Sequence, residues 1–189
     1  MNYETFKLAN RNKDGSNRML ILKPCGQNYT EAPANLQPSN LWRLQVIAHD
    51  TTGGKTRTLT GNIPLADLPA IMEAAKAAFV DSITTKNKKF SILEAQLKPK
   101  RSDVNEEGTL LYSVGIEYDS ARTYPITVTV KNNRGTVTEK DDGTLRIAPT
   151  GKEQYISTFA SAREFYNKLK HTQSICDLWY NSAIAEFFE

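Results

Sequence analysis

The stretch TTGGKT, residues 51–56, contains the Gly-Lys-Thr that ends a phosphate-binding loop. The complete motif needs another glycine five positions before Gly54, where the chain has His49. It also needs a helix after the lysine, because the N-terminal amides of that helix hold the anion. The following RTLTGNIP instead has the pattern of a strand. The sequence therefore predicts a β-hairpin with Gly53 and Gly54 at its tip rather than a nucleotide site.

Residue types that carry catalysis are sparse. His49 and His171 are the two histidines, so a metal site would need carboxylates, and His49-Asp50 is not flanked by a second ligand at the spacing that zinc sites use. Cys25 and Cys176 lack the sequence context of a nucleophile, and no G-x-S-x-G elbow occurs. Carboxylate pairs for acid–base catalysis depend on tertiary contacts, which a sequence does not display. We expect no enzyme, no catalytic residue, no metal and no cofactor.

Composition and charge are typical of a globular protein with a substantial core. Of 189 residues, 39% are hydrophobic and 24% charged, without an apolar run long enough to span a membrane. The polar N-terminus predicts a cytoplasmic protein. Residues 1–101 hold 15 basic and 8 acidic side chains, a net charge of +7, whereas residues 102–189 hold 9 and 13, a net charge of −4. The basic run from Lys86 to Arg101 fits either a solvated connector or a polyanion contact.

The first half has the pattern of four strands followed by a helix. Alternating apolar residues and turn signals predict strands near residues 3–9, 18–24, 42–50 and 56–63. Asp67 is a suitable N-cap for a helix over residues 67–83. The helix carries an apolar stripe of helical spacing, formed by Ile71, Ala75, Ala78, Phe79 and Ile83.

The second half has a similar pattern. FSILEAQLKP, GTLLYSVGIEYD, YPITVTVKN and TVTEK predict strands, TLRIAP resumes the sheet, and NNRG and DDG read as turns. Ser161 and Glu164 form a capping box before one helix, and a second helical segment follows Ser174. The predicted fold class is α+β: tandem β-β-β-β-α units, antiparallel sheets with helices packed on one face, and an extra C-terminal helix. The units cover residues 1–85 and 86–189 within one compact domain.

Aromatic residues interleaved with cations are the main functional signal. Single-stranded nucleic acid binds where bases stack on aromatic rings and a basic groove follows the phosphates. The candidate contacts, taken from both halves, are Phe6, Lys7, Arg11, Arg18, Arg43, Lys55, Arg57, Tyr118, Arg122 and Tyr124. Trp42, Phe79 and Tyr112 fall on apolar faces, which favours a place in the core. The expected partner is a single-stranded nucleic acid, with DNA favoured.

The order of elements, with strands near 3–9, 18–24, 42–50 and 56–63 and the helix at 67–83, resembles that of PUR-repeat and Whirly-type single-stranded nucleic-acid-binding proteins. In those families a curved antiparallel sheet presents a basic, aromatic surface while helices pack on the other side. The resemblance therefore implies binding through a sheet surface. It is carried by element order and by no diagnostic motif.

A protein–protein interaction module is the competing interpretation, such as an inhibitor or accessory protein of a phage or mobile element. The acidic second half would suit contact with the basic site of a nucleic-acid-binding partner. The C-terminal helix, with Trp179, Tyr180, Phe187 and Phe188, offers apolar side chains to a partner or a second copy, or to the chain's own core.

Overall fold

A computed structural model of the chain describes residues 6–11, 17–26, 41–84, 88–94 and 109–188. The first half forms four strands and a helix in chain order: β1 (Phe6–Arg11), β2 (Asn17–Gly26), β3 (Leu41–Thr52), β4 (Lys55–Pro64) and α1 (Leu68–Thr84). The second half forms five strands and a helix: β5 (Lys89–Leu93), β6 (Thr109–Asp119), β7 (Ile126–Glu139), β8 (Leu145–Pro149), β9 (Gln154–Ala160) and α2 (Ala162–Phe188). The chain is thus an α+β protein.

The strands form two antiparallel sheets. The first sheet has the order β1-β2-β3-β4, and the second has the order β5-β6-β7-β8. On the edge of β7 opposite β6, residues 126–132 pair with β9 and residues 135–139 pair with β8. The predicted hairpin between β3 and β4 is confirmed, since Gly53 and Gly54 adopt φ of 58° and 75°. These left-handed conformations are those that a two-residue hairpin turn requires. The turn predicted at DDG is also confirmed, with Gly143 at φ 77°.

Two predictions for the second half are wrong, and one strand was missed. Residues 132–135, NNRG, are a continuous part of β7 and pair with residues 109–112 of β6, so cross-strand hydrogen bonds override the local turn preference. The strand β9 (Gln154–Ala160) was not predicted. The segment after Ser174 continues α2 instead of forming an extra helix, and the Ser174 hydroxyl bonds to the Lys170 carbonyl one turn earlier.

Both sheets and both helices contribute to one buried cluster. Leu44 and Val46 of β3, Val128 and Val130 of β7, and Phe165 of α2 are among its members. On α1 the predicted stripe is correct at Ile71, Ala75 and Ala78, which are buried, and Phe79 packs partly against the cluster. Ile83 is instead 66% exposed, and the buried position near this end of the helix belongs to Asp81. Among the described helices, none combines the length and apolar character needed to cross a bilayer.

Candidate nucleic-acid interface

Four polar side chains lie side by side across the first sheet, one on each strand. Asn10 pairs with Arg18, Arg18 with Asp50, and Asp50 with Arg57 in the strand register. We call these four residues the polar row. Each is an even number of residues along its strand from a buried residue such as Leu8, Leu20, Ala48 or Leu59, so the polar row occupies the inward face of the sheet.

The polar row contacts the open edge of β9. The Asn10 amide donates to the Phe159 carbonyl at 2.9 Å and accepts from the Phe159 N–H at 2.8 Å. Arg57 Nη2 donates to the Tyr155 carbonyl at 3.1 Å, and Arg18 Nη1 lies 3.5 Å from the Ser157 carbonyl. These contacts occupy backbone groups that an edge strand otherwise leaves open to other chains.

Asp50 supplies the negative charge of the polar row. Its Oδ2 atom lies 3.4 Å from Arg57 Nη2 and 3.8 Å from Arg18 Nε, and the carboxylate is largely buried. One carboxylate thus offsets two guanidinium groups that also bind backbone carbonyls. Arg18 and Arg57, both predicted as nucleic-acid contacts, are used in joining the two sheets.

The second sheet also contacts β4, an edge strand of the first sheet. With the Asn62 amide turned so that its oxygen faces its neighbours, it accepts from Tyr112 Oη at 2.6 Å and from Arg43 Nη1 at 3.3 Å. Beside them, a Cβ atom on Gly61 would lie 2.5 Å from Val114 Cγ2. The backbone of β4 therefore approaches the second sheet more closely than a side chain would allow, and Arg43 is part of this contact.

The remaining first-half candidates do not gather on one surface. Lys7 lies on the outward face of β1, while Lys55 is exposed beside the β3–β4 turn. The side chains of Phe6 and Arg11 lie outside the described part of the chain. The structure therefore does not assemble the described candidates Lys7, Arg43 and Lys55 into a continuous basic sheet face, because their strand positions separate them.

Tyr118 is a core residue. Its side chain is fully buried, and its hydroxyl donates to Asp81 Oδ2 at 2.8 Å. Burial, reinforced by the hydrogen bond and negative charge of Asp81, raises the pKa of Tyr118 to about 12. Lys88 Nζ lies 3.9 Å from the other oxygen of Asp81. The ring presents no surface to a base, so Tyr118 is corrected from a candidate contact to a buried partner of Asp81.

Arg122 and Tyr124 are the two candidates that the structure brings together on an exposed surface. Both lie in the β6–β7 connection, which Asp119 orders: its N–H donates to the Pro125 carbonyl and its Oδ1 accepts from the Ala121 N–H. Arg122 Nε lies 3.3 Å from Asp119 Oδ2, and Arg122 Nη1 donates to Thr127 at 2.8 Å. Tyr124 has no such partner among the described residues and is 55% exposed.

This connection borders a cleft of about 490 Å³ between the end of α1 and the start of α2. We call it the α1–α2 cleft. It is lined by Phe79, Asp81, Ser82, Ile83, Tyr118, Ser120, Arg122, Thr123, Pro125, Ser161, Ala162 and Arg163. Tyr124 lies between two of these residues, Thr123 and Pro125. Of the lining groups, Arg122 and Arg163 are cationic, and Asp81 is a buried carboxylate bonded to Tyr118.

The sequence interpretation missed Arg163. It is exposed and makes no hydrogen bond or ion pair with the described residues. It occupies the first turn of α2, directly after the cap in which Ser161 Oγ accepts from the Glu164 N–H at 3.1 Å. Acidic residues are favoured in a first helical turn because they complement the helix dipole. A basic residue directly after the predicted cap is therefore unusual, and this could have marked Arg163 as a candidate binding residue from the sequence.

Among the described residues, no group of three or more His, Cys, Asp or Glu side chains could hold a metal ion. Cys176 is a buried free thiol, and desolvation raises its pKa to about 11, which lowers its thiolate fraction near neutrality. Comparison with known proteins gives no match to a family model, a curated sequence or a solved structure.

Proposed function

We propose that this protein binds single-stranded nucleic acid, DNA foremost, and that the contact surface is the α1–α2 cleft with Tyr124 at its rim. The supporting observation is that Tyr124, which is 55% exposed, lies in the chain between two residues of a cleft that Arg122 and Arg163 also line. The proposal keeps the ligand class that the sequence favours. It moves the contact surface from the first sheet to the α1–α2 cleft.

Base stacking is the first part of the proposed contact. A tyrosine that is 55% exposed and free of described side-chain partners can offer a ring face to a base without first breaking another interaction. Stacking of this kind contributes about 1–3 kcal/mol per base and tolerates any base. Its two neighbours, Thr123 and Pro125, line the cleft, so a stacked base would lie next to the cleft opening.

Phosphate neutralisation is the second part. Arg163 has no described partner, and Arg122 keeps 42% of its side chain exposed despite its bonds to Asp119 and Thr127. A guanidinium presents a planar fork of donors that matches two phosphate oxygens. Each phosphate neutralised on a single strand contributes a slope of about −0.7 to the dependence of log K on log salt. Two arginines therefore predict a slope component of about −1.4.

The test is fluorescence anisotropy of labelled single-stranded and duplex oligonucleotides across a salt series. Tyr124→Ala should weaken single-strand binding by roughly 5- to 150-fold, which corresponds to the stacking energy of one base. The double variant Arg122→Ala/Arg163→Ala should reduce the salt slope by about 1.4. Arg163→Ala alone leaves the Arg122–Asp119 pair intact. A loss of affinity in this single variant therefore reports a lost phosphate contact and not a disordered β6–β7 connection.

Tyr155→Ala is the matched control, since Tyr155 is 59% exposed but lies on β9, outside the α1–α2 cleft. Its oligonucleotide affinity should equal that of the unmodified protein. Absence of binding at low salt, or an equal loss for Tyr124→Ala and Tyr155→Ala, would refute the proposed interface.

Protein–protein interaction is the second candidate function, and exposed apolar side chains on α1 favour it. Val80 is 48% and Ile83 66% exposed, and both lie near the C-terminal end of that helix. We propose that such a partner, or a second copy of the chain, would contact this face or the C-terminal part of α2. Sedimentation velocity would detect self-association, and Ile83→Ser should abolish it if α1 provides the contact.

We further propose that the two halves arose by tandem duplication and that the protein acts in the cytoplasm. The support for duplication is the shared order of antiparallel strands followed by a helix, with four strands in the first half and five in the second.

A further inference from the structure

The outward face of the second sheet contains a separate groove, formed by β6, β7 and β9. It has a volume of about 330 Å³, at the lower end of the range for small-ligand sites. We call it the sheet groove, and it is lined by Gly115, Glu117, Thr129, Lys131, Glu153, Tyr155 and Ser157. None of these residues lines the α1–α2 cleft.

The floor of the sheet groove is a row of small residues. Gly115, Thr129 and Ser157 are direct neighbours in the register of the three strands. Gly115 has no side chain to fill the space above it. The hydroxyls of Thr129 and Ser157 lie 2.9 Å apart and share one hydrogen bond, which leaves acceptor capacity on both oxygens.

Two exposed side chains stand at opposite ends of the floor. Tyr155 is 59% exposed on β9, and Glu117 is exposed on β6. They are two strands apart and four residues apart along the strands, so their Cα atoms are separated by roughly 16 Å. Both side chains line the groove. The groove is thus long enough for an elongated ligand of about two rings.

The polar row fixes the position of β9 from the other side. The carbonyls of Tyr155 and Ser157, both groove residues, accept from Arg57 and Arg18 of the first sheet. The side chains of Tyr155 and Ser157 are therefore presented by a strand that is paired to β7 on one edge and bonded to the polar row on the other. Such a support provides the rigid placement that a binding site requires.

The charges of the sheet groove are mixed. Lys131 Nζ lies 3.3 Å from Glu153 Oε1, and this ion pair leaves Glu117 as the groove carboxylate without a partner among the described residues. The three charged side chains sum to −1, so a polyanion would be repelled. A neutral ligand with many hydroxyl groups avoids that cost, because it can donate to carboxylates and hydroxyl oxygens and accept from an ammonium group.

From this arrangement we infer that the sheet groove binds a neutral carbohydrate of about two sugar units, with one ring packed on Tyr155. The apolar face of a pyranose ring would cover the exposed tyrosine ring. Its hydroxyl groups would donate to Glu117 and exchange hydrogen bonds with Thr129 and Ser157. This site is independent of the proposed nucleic-acid interface.

The test is saturation-transfer NMR on the whole protein, with maltose, cellobiose and N,N′-diacetylchitobiose as probes at millimolar concentration. At least one disaccharide should receive saturation, and a titration gives its Kd. Tyr155→Ala should raise that Kd by roughly 3- to 10-fold, the scale of one aromatic contact. Its fold should persist, because the backbone carbonyl of residue 155, and not the ring, accepts from Arg57. An unchanged thermal midpoint would establish this.

Tyr124→Ala is the matched control, another exposed tyrosine that lies outside the sheet groove, and its sugar affinity should be unchanged. Glu117→Gln should weaken sugar binding while keeping the side-chain shape. The inference is overturned if no disaccharide in the panel binds, or if Tyr155→Ala and the unmodified protein bind equally. Loss of oligonucleotide binding in Tyr155→Ala would assign the groove to nucleic acid instead.

Discussion

Asn10 provides the most direct test of how the two sheets are held together. Its amide makes two hydrogen bonds to one residue of β9, at 2.9 Å to the Phe159 carbonyl and 2.8 Å from the Phe159 N–H. Both bonds are partly buried and span 149 residues of chain. The side chain thus completes the edge of β9 as a further strand would.

Asn10→Ala should destabilise the protein by about 2–3 kcal/mol. Each hydrogen bond contributes about 1 kcal/mol net, and a partly buried backbone group left unpaired adds a desolvation cost. For a chain of this size, that loss corresponds to a decrease in Tm of roughly 4–12 °C. Urea unfolding followed by circular dichroism gives the free energy of unfolding directly.

Two further variants make this result specific. Asn10→Asp keeps an acceptor for the Phe159 N–H but places a carboxylate against the Phe159 carbonyl, so it should also be destabilising. Asn17→Ala removes an exposed asparagine of the same sheet and should change stability by less than about 0.5 kcal/mol. If Asn10→Ala were as stable as Asn17→Ala, the polar row would not join the sheets as described.

Two other predictions concern the interior. Gly61→Ala should destabilise by about 1–3 kcal/mol through overpacking, because its Cβ would lie 2.5 Å from Val114 Cγ2; unchanged or increased stability in urea unfolding would contradict this close approach. Tyr118 has a folded pKa of about 12 against 10.0 for a free tyrosine, so its contribution to stability is complete below pH 10 and is lost as pH rises towards 12. A tyrosinate absorbance titration should show a tyrosine that ionises near pH 12, and this step should be absent in Tyr118→Phe. The stability of Tyr118→Phe should decline less than that of the unmodified protein between pH 10 and pH 12.

The polar row also shows where part of the basic charge of the first half is used. The net charge of +7 in residues 1–101 is correct as a sum, but it treats every cation as available to a ligand. Arg18 and Arg57 bind carbonyls of β9, and Arg43 bonds to Asn62 at the edge of β4. Partners more than 90 residues away, such as Tyr155 and Ser157 for Arg57 and Arg18, leave no trace in the local pattern.

Elements whose signals are local could be predicted from the amino-acid sequence. The Gly53–Gly54 turn follows from the low cost of positive φ at glycine, and α1 follows from the helical spacing of its apolar residues. The strands of the first half follow from alternation of apolar residues. Each of these signals lies within about a dozen residues of chain, so local preference was sufficient.

Features that depend on distant partners became visible only in the folded chain. NNRG favours a turn locally, yet pairing with β6 keeps it extended within β7. The alternating pattern of the strand is the same whether Tyr118 is an exposed contact or a core residue. The approach of Asp81 on α1 makes Tyr118 a buried hydrogen-bond donor. The α1–α2 cleft, the sheet groove and the polar row each join segments far apart in the chain. A local pattern determines on which face of a strand a side chain lies. Packing between sheets and helices determines whether that face contacts solvent, another sheet or a helix.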